Sequence, residues 1–146
     1  MKSIESIKKF HFTIGGYFAK NFDVVIKENK ATYCADLYVF DFSKRQEKEI
    51  SKNQMESFLS KLNQLNIIGW KKEYFNPDII DGVQWELEMV YSKSNKKSIF
   101  GSNLYPNSEP DSDETSPEFE ELLDAIKELI QEPLFFSDEF PSIENK

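Results

Sequence analysis

Residues 83–91 read VQWELEMVY, and the fold class turns on how this stretch is read. Val83, Trp85, Leu87, Met89 and Tyr91 occupy alternate positions, with Gln84, Glu86 and Glu88 between them. Successive strand side chains point to opposite faces, so the alternation predicts a strand with one face packed and the other wet. Asp81-Gly82 just before it suits a turn feeding the strand, because Gly permits positive φ and Asp can bond its own backbone. Lys93–Lys97 reads as a polar turn, and a short strand near Lys97–Gly101 would complete a hairpin.

Working outward, each flank supplies an element that must cover an apolar face. Upstream, Ser51 and Gln54 have the spacing of a capping box, and Ile50 and Met55 that of a hydrophobic staple. Met55, Phe58, Leu59, Leu62 and Leu65 then form one stripe, predicting a helix over about 52–65 with Asn66 as a left-handed terminator. Downstream, Ser116 caps a second helix with Pro117 at its first position and Glu118, Glu120 and Glu121 near its positive end. Phe119, Leu122, Leu123, Ile126, Leu129 and Ile130 form its stripe, and Pro133 stops it.

The first 42 residues read as strands. Phe10, Phe12 and Ile14 alternate with His11 and Thr13 until Gly15-Gly16 breaks the run. Phe22, Val24 and Ile26 repeat the pattern, Glu28-Asn29-Lys30 turns, and Ala31–Phe42 follows as a strand whose Leu37–Phe42 end is apolar on both faces. The charged stretch before Ser51 and the segment from Asn66 to Gly82 read as loops. The expected order is β-β-β-α-β-β-α. It describes an α+β fold, a mainly antiparallel sheet of about five strands with two amphipathic helices packed on one face. Residues 1–132 form the expected domain, and 133–146 a tail that is either docked or disordered.

Composition limits the chemistry. One Cys (Cys34) and one His (His11) permit neither an internal disulfide nor a usual zinc site, which takes about four such ligands. No cofactor or metal is expected. No stretch approaches the ~18 apolar residues of a membrane span, and the N-terminus lacks the apolar core of a secretory signal, so the expected location is cytoplasmic. Residues 1–75 carry 13 Lys+Arg against 9 Asp+Glu, whereas residues 76–146 carry 5 against 17. The acidic half repels nucleic-acid phosphate and anionic lipid and attracts basic partners, although solubility alone is the plainer reading of the imbalance.

Trp70, Tyr74, Asp81-Gly82, Trp85, Leu87, Gly101, Asn103, Tyr105-Pro106 and the Phe119–Leu122 helix make a layout of W…DG..W.l…G.N.yP…f..l. This resembles a small uncharacterised bacterial protein family over about residues 55–130. The acidic stretch Ser108–Ser116 is an insertion relative to that layout. The resemblance implies an α+β fold and supplies no chemistry.

Candidate sites divide into carboxylates and loop aromatics. Glu86 and Glu88 share one side of a strand about 7 Å apart, a range at which carboxylate pairs act on glycosidic bonds, but a solvated sheet face explains them as well. Asp111, Asp113 and Glu114 lack the central Gly of a calcium loop. Cys34 could act as nucleophile with His11 as base, although a packed thiol in mid-strand is the commoner state. The leading expectation is a non-enzymatic module that holds a basic protein, of which a bacterial immunity protein is one concrete form. Glu109, Asp111, Asp113, Glu114, Glu118, Glu120, Glu121 and Asp124 would steer encounter, and Trp70, Tyr74 or Tyr105 would anchor the complex. The alternatives are a ligand-binding or enzymatic pocket gated by the same aromatics, and a structural homo-oligomer subunit. Oligomeric state stays open.

Overall fold

The strand at residues 83–91 lies inside a seven-stranded sheet. The computed structural model describes residues 4–16, 19–36, 46–75, 83–102, 104–106 and 116–130. In chain order the elements are β1 (Ile7–Gly16), β2 (Ala19–Lys27), β3 (Lys30–Asp36), β4 (Gln46–Glu49), α1 (Lys52–Gln64), β5 (Glu73–Phe75), β6 (Val83–Tyr91), β7 (Asn95–Ser102) and α2 (Pro117–Ile130). The strand order is β4-β3-β2-β1-β6-β7-β5. Five neighbouring pairs run antiparallel, and β5 joins β7 in parallel.

The α+β class holds and the sheet is mainly antiparallel, but the expectation of about five strands is corrected to seven, and the β5–β7 edge pair makes the sheet mixed. The two added strands lie where the sequence reads as loop. β4 is Gln-Glu-Lys-Glu, an edge strand with no apolar alternation, held by its ladder to Lys30–Tyr33. β5 has three residues, of which Tyr74 alone is buried. The run-break expected at Gly15-Gly16 becomes a register shift within β1. Asp81-Gly82, the Leu37–Phe42 run, Pro133 and the tail fall outside the described residues.

Register explains the core. Phe12 lies between Val24 and Leu87, Ile14 between Phe22 and Trp85, and Phe10 between Ile26 and Met89, and all nine side chains are buried. On that same face Phe10 meets Phe58 of α1 edge-on at 5.2 Å between ring centres, and Phe12 meets Phe119 of α2 at 6.2 Å. Both helices therefore cover one face of the sheet, as the two stripes require.

Local signals set the element ends. Gln54 N–H donates to Ser51 Oγ at 3.1 Å and Ser51 N–H to Gln54 Oε1 at 2.9 Å, so two orphan donors of α1 are satisfied reciprocally. Asn66 takes the left-handed conformation (φ 53°, ψ 47°) just past the end of α1. In α2, Phe119 N–H donates to Ser116 Oγ at 3.2 Å. A two-residue turn at Glu28-Asn29, with Glu28 at φ 55°, joins β2 to β3.

Candidate functional site

The loop aromatics converge on Trp85. Tyr74 stacks on one side of its indole at 5.9 Å and 26°, Tyr105 stacks at 6.4 Å and 7°, and Trp70 meets it edge-on at 6.5 Å. Phe119 closes the cluster at 4.7 Å from both Trp85 and Tyr105. The polar tips are satisfied: Trp85 Nε1 donates to Leu104 O and Trp70 Nε1 to Leu65 O, each at 3.1 Å. Tyr74 Oη accepts the Lys71 N–H at 2.9 Å. Burial pushes the Tyr74 hydroxyl above its ordinary range, against a smaller opposing effect of that N–H. Lys97 donates to Trp70 O at the rim, and burial, then the charge of Lys72, holds its ammonium below its ordinary range.

Trp70 and Tyr74 are each 8% exposed and Tyr105 3%, so these rings form part of the core and are not an exposed aromatic platform. Rings that stack with a buried indole gain more from that burial than solvent could return. The exposed large apolar side chain among the described residues is Phe75 on β5, which the sequence pattern does not single out.

The acidic candidates divide. Glu109, Asp111, Asp113 and Glu114 lie outside the described residues. Glu118 is half-buried, with an Oε1 that meets no hydrogen-bond partner among the described residues. Glu120, Glu121 and Asp124 are exposed, as is Glu128. Glu121, Asp124 and Glu128 follow i, i+3, i+7 and so share one stripe on the outside of α2. They line a groove of about 240 Å³ together with Lys61 of α1 and Lys127. Beside it, Gln54, Ser57, Phe58, Lys61, Ala125, Glu128 and Leu129 line a hollow of about 120 Å³. Both fall short of the ~300–1,000 Å³ of ordinary ligand pockets, and the gating aromatics line neither.

The second face of the sheet carries the remaining candidates. Glu86 and Glu88 are exposed there, as a solvated face requires. His11 and Cys34 lie on β1 and β3 with β2 between them, about 10 Å apart or more at two strand spacings. His11 Nε2 instead meets Asp23 Oδ1 at 2.6 Å. Asp23 is 2% exposed and is the direct cross-strand partner of the buried Cys34. No group of three or more His, Cys, Asp or Glu suited to a metal ion occurs among the described residues. Among the same residues, no helix is long and apolar enough to cross a membrane. The sequence shows His11 and Asp23 only as polar positions in two separate strands, so their pairing becomes visible only with the β1–β2 register.

No family model, no curated protein and no solved structure matches the chain.

Proposed function

We propose that the chain is a protein-binding module that receives a basic protein on the outer surface of α2, in the manner of an immunity or inhibitor protein. The observation that carries this reading is the stripe of Glu121, Asp124 and Glu128 bordering the groove to α1. Like charges at i, i+3 and i, i+4 repel by a few tenths of a kcal/mol per pair, and Glu128 in the last turn opposes the helix dipole. No ion pair neutralises the three carboxylates among the described residues. Exposed carboxylates set this close together suit a cationic partner, whose arrival relieves their mutual repulsion and whose encounter they accelerate.

The test is capture of a partner on the full chain, followed by its association kinetics. The expected result is a partner whose association rate falls about tenfold or more from low to high salt. The rate should fall by a similar factor when Glu121→Gln, Asp124→Asn and Glu128→Gln are combined. A captured partner with a salt-insensitive rate, or one that binds the variant at the original rate, contradicts the proposal.

A further inference from the structure

On the face of the sheet away from the helices, register sets lysines side by side. Lys30 of β3 is the cross-strand partner of Lys27 of β2, and Lys27 is the partner of Lys9 of β1. Lys9 is opposite Val90 of β6, which is in turn opposite Lys96 of β7. Four ammonium-bearing side chains thus stand in one row, spanning about 19 Å at ~4.8 Å per strand. Lys27, Lys30 and Lys96 are exposed and Lys9 is partly so.

Like charges directly opposite on adjacent strands are destabilising. The row contains two such pairs in succession and ends at Glu49 of β4, the opposite-charge cross-strand partner of Lys30. The ion pair formed by one of its members among the described residues, Lys30 to Glu47, is a long one at 3.6 Å, with both side chains solvated. An exposed pair of that kind contributes little.

We infer that this row is a second binding surface and that it takes an extended acidic segment of a partner protein. The geometry favours that occupant in two ways. The row is linear and does not converge, so it offers no pocket to a single small anion. A nucleic-acid strand needs rings on which its bases stack, and the row carries none, while Phe100 on the same face lies between Glu73 and Glu86. The next row places Val25 and His11 beside Glu88, adding a carboxylate where a second phosphate track would run. An extended peptide lying across the strands needs only about six residues to cover the row and can aim alternate carboxylates at it. This surface is independent of the stripe on α2, which belongs to the layer on the opposite face.

The probe is a fluorescent poly-L-glutamate peptide about ten residues long, enough to overhang the row, titrated with the full chain at low salt. Binding is expected despite the net charge of −8. It should weaken about tenfold in the combined Lys9→Gln, Lys27→Gln variant and disappear at high salt, as a contact made by exposed charges must. The combined Lys9→Arg, Lys27→Arg variant should retain it, which separates lost charge from lost folding. Lys52→Gln on α1 should leave it unchanged. No binding of the peptide at low salt, equal loss in Lys52→Gln, or tighter binding of an oligothymidylate of matched length would overturn the assignment.

Discussion

Trp85→Ala is expected to lower stability by about 3–5 kcal/mol, the usual loss for a large aromatic removed from a core. In a chain of this length that corresponds to a fall in Tm on the order of 10 °C. The reason lies in how many elements the ring joins. Tyr74 of β5 and Tyr105 stack on it, Phe119 of α2 leans against it at 4.7 Å, and its Nε1 holds Leu104 O. Removing it leaves a cavity and an unpartnered carbonyl together. Thermal and urea denaturation measure the loss. A change below about 1 kcal/mol would mean that the cluster is not the keystone of the second half.

Gly101→Ala is expected to be nearly as damaging, although it adds a single methyl group. Gly101 is the cross-strand partner of Trp85, and a Cβ on it would lie 2.0 Å from Trp85 Nε1 and 2.1 Å from Cε2. The indole cannot retreat, because it is 1% exposed and stacked by tyrosines. Overpacking of this kind costs about 1–3 kcal/mol, and more where the neighbour is fixed. The mechanism makes a second, sharper expectation. In a Trp85→Phe background the methyl group finds room, so the cost of Gly101→Ala should shrink by about 1 kcal/mol or more in a double-mutant cycle. Additive losses would place the strain elsewhere.

Alternation in VQWELEMVY and the two helical stripes were sufficient for the α+β class and for covering one sheet face, because burial on a single side leaves a periodic trace. The capping box of Ser51 and Gln54 and the left-handed Asn66 were legible for a similar reason: each is a local arrangement within a few residues. β4 and β5 were not. Gln46–Glu49 is polar throughout and joins the sheet mainly through its backbone ladder, and Glu73–Phe75 is too short for a period to appear. β4 follows its partner β3 directly in the chain, whereas β7, the partner of β5, lies beyond β6.

The candidate site divides along the same line. That the α2 carboxylates face outward follows from the helical stripe they interrupt. Trp70, Tyr74 and Tyr105 lie beside no apolar periodicity, so the sequence does not tell a core cap from an exposed platform. The fold buries them in the core. The pairing of His11 with Asp23 and the row of four lysines depend wholly on register between strands. No spacing along the chain encodes either of them.

The most direct measurement for the account is the stability of the full chain carrying Glu121→Gln, Asp124→Asn and Glu128→Gln together, compared with the parent by thermal denaturation at low salt. If these carboxylates face a partner and do not serve the fold, relief of their mutual repulsion leaves Tm unchanged or raises it by about 1–3 °C. A fall of more than about 3 °C, equivalent to roughly 1 kcal/mol, would show that the charges hold the helix layer together. That result would contradict the reading of the α2 stripe as a surface kept for binding.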